Sequence, residues 1–447
     1  MSAILTITET EPTPLLRDFS AFVHYAEAHP MALTQGHETV SGRDLYELNQ
    51  AMTNPAPDTT PRTRQTLHPL LHLFYHLSLA GRLFQKVPGK GGKLALKPTE
   101  RLKLYEVLKP AEKYFFLLET LWIDADWKKL VGGYFEEPLY SAPLVLKALS
   151  AHQPGKCIRP QQARENPSLM PIFVHWRSFA LYFSFFGFWQ VTATQDSAAG
   201  RARLHFFQAE SITPSLLGVA LAPVLSQARE LPYWNLPSRR KGGEWNAVPG
   251  SPLPKGNTYE VIYGDLVEEL NLKKPKAAGK VYKGKPGEPF FLPFVPLFAE
   301  GELRQTLPRE GVKFVDGTYV FKVSMRTNLW RRIEMAGGHS LEDLHYAIQD
   351  AYDFDDDHLY AFFTDNEAWS DEKFTSPHDE EGPHVDEVRI GEVGLFVGRR
   401  IVYLFDYGDC WRFRVEVEEI RTEGPKPRRP RVVEKKGKAP EQYPDYD

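Results

Sequence analysis

Between residues 232 and 290 the chain gathers proline, glycine and lysine, in the runs SRRKGGEW, PGSPLPKGN and KKPKAAGKVYKGKPGEP. Proline has no amide donor and glycine has no side chain to pack, so neither a long helix nor a central strand can run through such a stretch. The chain is therefore cut into parts that must each bury their own apolar surface. Residues 1–231 form a region rich in leucine and aromatics with helical spacing, and 232–290 read as a linker. Within the linker, Tyr259 to Leu270 (YEVIYGDLVEEL) is a short amphipathic piece suited to docking on a neighbour. Strand and helix patterns alternate over 291–420, and 421–447 read as a basic, disordered tail.

A length of 447 residues fits this division, at roughly 150 residues per domain. Hydrophobic residues at 42% and charged residues at 25% exclude a wholly disordered chain, a collagen-like fibre and a long coiled coil. The 54 basic and 58 acidic side chains leave a net charge of -4, which excludes a basic field over the whole surface but not local patches. Two cysteines, Cys157 and Cys410, cannot build a disulfide framework or a four-cysteine zinc site. The first residues, MSAILTITETEPTPLLRDF, have no basic stretch ahead of an apolar one, and the most membrane-like segment, Met170 to Trp189, carries His175 and Arg177. The expectation is a cytoplasmic protein with reduced thiols and no membrane partner, in which 170–189 is a core helix.

The helical region holds a degenerate internal repeat. In its first copy, about 67–108, the apolar run LHPLLHLFYHLSLAG (67–81) ends at Gly81 as a helix-terminating glycine. RLFQKV, the turn PGKGG and KLAL then spell a hairpin, and Pro98 opens a helix. In the second, about 173–225, FVHWRSFALYFSFFG (173–187) ends at Gly187, FWQVTATQ and RLHFFQ flank the turn DSAAG, and Pro214 opens PSLLGVALAPVL. Helix, glycine, hairpin, helix is the element order of a winged-helix unit, whose third helix often reads DNA. Here those helices are apolar all round, which predicts burial rather than groove contact. Basic residues occur instead on the first wing, at Lys86, Lys90 and Lys93. His68, His72 and His76 recur every four residues, a spacing that can share a metal; the alternative is a polar stripe on a core helix.

In the C-terminal part, YVFKVSMR (319–326) alternates with Phe321, Val323 and Met325 on one face, and TNLWRRIEM continues it as a second extended segment. Ser340 with Asp343 forms a capping box for a helix whose apolar stripe is Leu341, Leu344, His345, Ile348 and Tyr352. Ile401, Tyr403, Phe405 and Tyr407 alternate towards a Gly408-Asp409-Cys410 turn, and Trp411, Phe413, Val415 and Val417 alternate back. The fold class is thus α+β and multidomain: a mainly helical N-terminal half with two winged-helix-like units, then an antiparallel sheet with a packed helix.

The ordered motifs LWRRIEM, LEDLHYAIQDAY, DDDHLYAFF and YLFDYGDCWRFRVEVEEI resemble the plasmid pRiA4b ORF-3-like family over about 318–420, and FVPLFAEGELRQTLP (294–308) is similar to the lead-in of its longer members. The resemblance implies an α+β sheet domain and a plasmid or mobile-element context, and some members are labelled transposon resolvase-like; it implies no mechanism. The family hairpin usually reads Gly-Asp-Gly-Trp with a histidine two residues on, whereas this chain has Cys410 and Phe413 at those places.

His345, His358, Asp406 and Asp409 are the strongest polar constellation, and imidazole with carboxylate could hold a divalent metal that polarises a phosphodiester. The alternative is a structural network in which these groups, or Arg331 and Arg332, pair with one another. No cofactor motif, nucleophile elbow, Walker loop or zincin helix occurs, which leans away from an enzyme. Charge is segregated: residues 350–387 carry 14 Asp or Glu against Lys373 alone, while 421–438 carry eight Arg or Lys against Glu423 and Glu434. The basic run, with Arg428, Arg429 and Arg431, reads as a nucleic-acid arm or as a solubilising tail that folds back on the acidic segment. Three functions follow. The favoured one is a non-enzymatic nucleic-acid-associated or adaptor protein, with contacts at Lys86, Lys90, Lys93, Arg331, Arg332, Arg428, Arg429 and Arg431. The others are a metal-dependent hydrolase or nuclease using the His/Asp group, and a protein-interaction scaffold.

Overall fold

The computed structural model describes residues 4–34, 37–89, 93–131, 138–195, 207–254, 258–270, 285–309 and 313–443. It divides into two units. The first comprises 1–86, 93–239 and 247–307, and the second comprises 87–92, 240–246 and 308–447. Among the described residues no helix is long and apolar enough to cross a membrane.

The first unit is helical around an aromatic core. Helix α1 (Pro69–Ala80) precedes strands β1 (Phe84–Pro88) and β2 (Leu94–Pro98), followed by α2 (Glu100–Glu106). The second copy repeats this order with α3 (Ser178–Phe185), β3 (Trp189–Ala193), β4 (Ala209–Pro214) and α4 (Leu216–Gln227). Helices α1 and α3 pack on each other. Their apolar sides are spent on this contact and on rings such as Trp176, Phe183 and Trp189, where Phe183 and Trp189 stack at 5.3 Å. This is why the helices that would read a groove are buried. The turns between paired strands, 90–92 and 196–206, lie outside the described residues.

Several local expectations shift. Pro98 and Pro214 close strands β2 and β4, where a missing donor costs nothing, and do not open the helices. Ser215 caps α4 by accepting from the Gly218 amide at 2.9 Å. The left-handed residue after α1 is Arg82, at φ 56°, whereas after α3 it is Gly187, at φ 77°. Gly81 is required for a different reason: a Cβ there would lie 3.0 Å from the Phe116 ring. The single helix expected over 173–187 breaks into Met170–Val174 and α3 at Arg177, φ 46°. The break turns Trp176 into the core, where its indole donates to Ser141 Oγ at 2.9 Å.

Much of the expected linker is packed in the first unit. Arg229, fully buried, donates to the carbonyls of Ala228, Pro289 and Phe290, pairs with Glu288 at 2.8 Å and lies 4.3 Å from the Trp234 ring centre. Buried Arg239 gathers the carbonyls of Tyr233, Val248, Ser251 and Pro252. Loops rich in proline leave carbonyls without ladder partners, and a buried guanidinium supplies the donors. The docking piece is a helix, Thr258–Glu269. The lysine-rich run 271–284 lies outside the described residues.

The second unit is a seven-stranded antiparallel sheet with one helix on its inner face. Its strands are β5 (Thr318–Arg326), β6 (Leu329–Ala336), β7 (Tyr360–Phe363), β8 (Lys373–Thr375), β9 (Arg400–Phe405), β10 (Trp411–Arg421) and β11 (Arg431–Lys436), in the order β11-β6-β5-β10-β9-β7-β8. Helix α5 (Leu341–Tyr352) starts at the expected capping box: Ser340 Oγ accepts from the Asp343 amide at 3.0 Å, and Asp343 accepts from the Ser340 amide at 2.8 Å. Its stripe packs on Phe321, Val323, Ile333, Tyr403, Phe405, Phe413 and Val415.

The tail is a correction to the sequence reading. Residues 431–436 form the seventh strand, and Gln442 and Tyr443 bond to Asp355 and Asp357. Two physical needs explain it: β11 covers the edge of β6, and buried Glu334 takes Arg421 and Arg431 as counter-charges.

Candidate functional site

Because side chains alternate across a strand, the residues opposite the α5 face form a second, outer surface. The registers align one row of it across all seven strands: Lys436, Trp330, Ser324, Arg414, Val402, Phe363 and Lys373. Arg412, two residues before Arg414 on β10, shares this face beside Leu404. Arg412, Arg414 and Lys436 are exposed and have no ion pair among the described residues. Trp330 is half-buried, with Lys322 Nζ 5.2 Å and Arg332 Cζ 5.0 Å from its ring centre.

The neighbouring row is electrostatically closed. Arg332 bonds Glu418 and Glu434, Lys322 Nζ lies 3.9 Å from Glu418, and Arg400 pairs with Glu416 at 3.2 Å. Its carboxylates are therefore matched, and the excess positive charge of the face falls on Arg412, Arg414 and Lys436. Towards β7 the face turns apolar, with Ala361, Phe363 and Leu404 buried beneath Val402, Ala368, Tyr407 and Cys410. Trp369 sits beside this cluster, 6.3 Å from Phe363 and 5.1 Å from Tyr407 between ring centres, and is 52% exposed.

The anticipated metal constellation is not assembled. His345 is buried, stacked on Tyr360 at 3.6 Å, with Nδ1 2.7 Å from the Tyr403 hydroxyl. Gln349 donates to that same hydroxyl, so Tyr403 donates its proton to the neutral imidazole. Desolvation pulls the His345 pKa down to about 3. His358 instead lies 3.5 Å from Asp406, and Asp406 is occupied with the turn: its Oδ1 accepts from the amides of Gly408 and Asp409 at 2.8 and 3.2 Å. Asp409 is exposed. Among the described residues no three His, Cys, Asp or Glu side chains converge to hold a metal ion. The reason is geometric: Asp406 takes a left-handed conformation, φ 55°, and caps its own turn. The same turn carries Tyr407 to the outer cluster, away from the inner face its alternation suggests.

The histidine stripe on α1 is also a core feature. His68 and His72 are buried, and desolvation lowers both to about 4. Desolvation, reinforced by His72 and the cations Lys129 and Lys86, lowers His76 further. His72 Nδ1 meets the Gln65 amide at 3.1 Å.

The basic residues separate into structural and accessible ones. Arg331 is buried: it donates to the carbonyls of Ala351, Trp330, Lys436 and Gly437 and lies over the Tyr352 ring at 4.6 Å, so it cannot reach a phosphate. Arg332 is committed to Glu418 and Glu434, Arg431 to Glu334 and Lys86 to Glu38. Lys93, Arg428 and Arg429 are exposed, and Lys90 lies outside the described residues. Nothing in the sequence gathers Arg412, Arg414, Lys436, Trp330 and Trp369 into one group. The alternation in WRFRVEV does place Arg412 and Arg414 opposite Phe413 and Val415, but Lys436 and Trp330 join them only through pairing.

Residues 318–443 match the plasmid pRiA4b ORF-3-like protein family. The matched segment runs from the first residue of β5 past β11, so the ORF-3-like domain includes the edge strand formed by the tail. In this ORF-3-like domain Phe413 is buried between Tyr352 and Tyr403, at 5.0 and 5.4 Å between ring centres. Cys410 has φ 55°, a conformation natural to glycine. No curated protein matches the chain. A solved structure, a protein of unknown function from Methanosarcina mazei Go1, is similar at 22% identity over 28% of this chain and 71% of its own, with a TM-score of 0.24.

Proposed function

We propose that this chain is a non-enzymatic, nucleic-acid-associated protein of plasmid or mobile-element type, and that its ORF-3-like domain supplies the contact surface. One observation carries the reading: Arg412, Arg414 and Lys436 stand exposed and, among the described residues, without ion pairs on the outer sheet face, beside a row whose carboxylates Glu416, Glu418 and Glu434 are matched. Cations held in a fixed array without local counter-charges attract phosphates, and each phosphate neutralised releases a counterion. That His345 and His358 serve different partners favours this reading over a metal-dependent hydrolase.

The test is a titration of labelled DNA and RNA oligonucleotides, single- and double-stranded, with the full chain at several salt concentrations. Binding should weaken steeply with salt, and Arg412→Ala/Arg414→Ala should flatten the log–log slope by between one and two. Absence of binding to every oligonucleotide at about 50 mM salt refutes the proposal.

A further inference from the structure

We infer that the outer sheet face takes an unpaired nucleic-acid strand, with bases stacked at Trp330 and Trp369 and phosphates held by Arg412 and Arg414 between them. The inference rests on the nucleic-acid reading above and names its substrate class and mode.

The breadth of the surface argues first against duplex. Seven strands at about 4.8 Å spacing make a platform roughly 29 Å across, and a B-form major groove about 12 Å wide admits only a helix or a two-stranded ribbon. A broad, shallow face suits splayed bases, whose π-faces are free only when unpaired.

The aromatic residues sit where such a strand needs them. Trp330 lies on β6, and Phe363, which supports Trp369, lies four strand spacings away in the same row, about 19 Å. Between them β10 presents both exposed arginines. Trp369 is held at φ 68°, a left-handed conformation uncommon for a bulky residue, and is still 52% exposed. It is the third residue of the Glu367–Ser370 turn, closed by the Ser370 amide donating to the Glu367 carbonyl at 3.3 Å, a position whose geometry calls for positive φ, and its ring stays outward. It is braced edge-on by Tyr407, as a stacking surface must be. Apart from the Ser324 hydroxyl, the row offers the apolar Val402 and Phe363 between the cations and hence little that reads base edges. Recognition should therefore be tolerant of sequence.

The experiment uses fluorescence anisotropy with the full chain, oligo-dT, oligo-U and a hairpin duplex of matched length, each at three salt concentrations. The variants are Trp369→Ala, Trp369→Phe, Trp330→Ala and Arg412→Ala/Arg414→Ala, with thermal melts reporting their folding. Trp369 is exposed, so its variants keep the test valid even if Trp330→Ala fails to fold. One or both single strands should bind at least tenfold tighter than the duplex. Each Trp→Ala change should cost about 5- to 160-fold with an unaltered salt slope, and Trp369→Phe should retain most of the affinity. The double arginine change should flatten the slope by about 1.4. If duplex binds as tightly as single strand, or if Trp369→Ala leaves affinity unchanged while the arginine variant weakens it, the stacking mode is wrong and nucleic-acid association stands. If nothing binds, the association itself falls and the stacking mode with it.

Discussion

Replacing His345 by phenylalanine separates the stability of the ORF-3-like core from the titration of one buried imidazole. The substitution keeps a ring on Tyr360 and leaves the Tyr403 hydroxyl bonded to Gln349. Near pH 7.5 both states hold His345 neutral, so the variant loses one hydrogen bond and leaves the buried Tyr403 proton without its acceptor, about 1–3 kcal/mol. Burial lowers the folded-state pKa to about 3 from an unfolded value near 6.5. The unfolded state therefore binds the proton first as pH falls. The contribution of His345 is fully present above about pH 6.5 and is lost between there and about pH 3. At pH 5 the unfolded chain gains about 1.5 pH units of protonation, or about 2 kcal/mol, and this holds as long as the folded value stays below about 4. Phenylalanine has no such loss, so the variant should be about 1–3 kcal/mol less stable than wild type near pH 7.5, and this difference should shift in favour of the variant by about 2 kcal/mol at pH 5. Urea unfolding at both pH values, followed by amide NMR signals of β9 and β10, measures the difference. The other buried histidines are common to both proteins and cancel. A stability difference that does not change with pH would refute the reasoning, because it would mean that the imidazole titrates as freely in the folded core as in the unfolded chain.

Two further changes test the backbone arguments. Cys410→Gly relieves a left-handed residue at φ 55° and should raise stability by about 0.5–1 kcal/mol in the same denaturation assay, after the added freedom of glycine in the unfolded chain is counted. Gly218→Ala would place a Cβ 2.1 Å from the Phe188 carbonyl, where α4 is seated on the start of the second hairpin. The cost should be about 1–3 kcal/mol or more, read as a lowered melting transition of the helical unit, and an unchanged transition would mean that α4 does not sit this close.

The hairpin β9–β10, helix α5 with its capping box, and the helix-hairpin-helix order of the repeat were legible because they are local: period, cap and turn lie within about a dozen residues of one another. The candidate site was only half legible. Arg412 and Arg414 share a face by alternation alone, whereas Ser324 meets Arg414 and Lys436 meets Trp330 across long stretches of chain. Arg331 and Arg332 are adjacent and chemically alike, yet one fills a buried carbonyl cage and the other a surface ion-pair network, since neighbouring strand residues point to opposite faces. Strand β11 carries no alternating pattern because both its faces are exposed; it forms because the edge of β6 and the buried Glu334 need it.

By itself, then, the amino-acid order determined what short-range physics decides: where helices start, which strand faces are apolar, and which family its C-terminal part resembles. Only the tertiary structure decided which charges remain unmatched. It sent His345 to Tyr403 and His358 to Asp406, and it left Arg412, Arg414 and Lys436 without ion pairs among the described residues on one sheet face. Whether a charge is free depends on every partner within a few ångströms, and those partners come from segments the chain order keeps far apart.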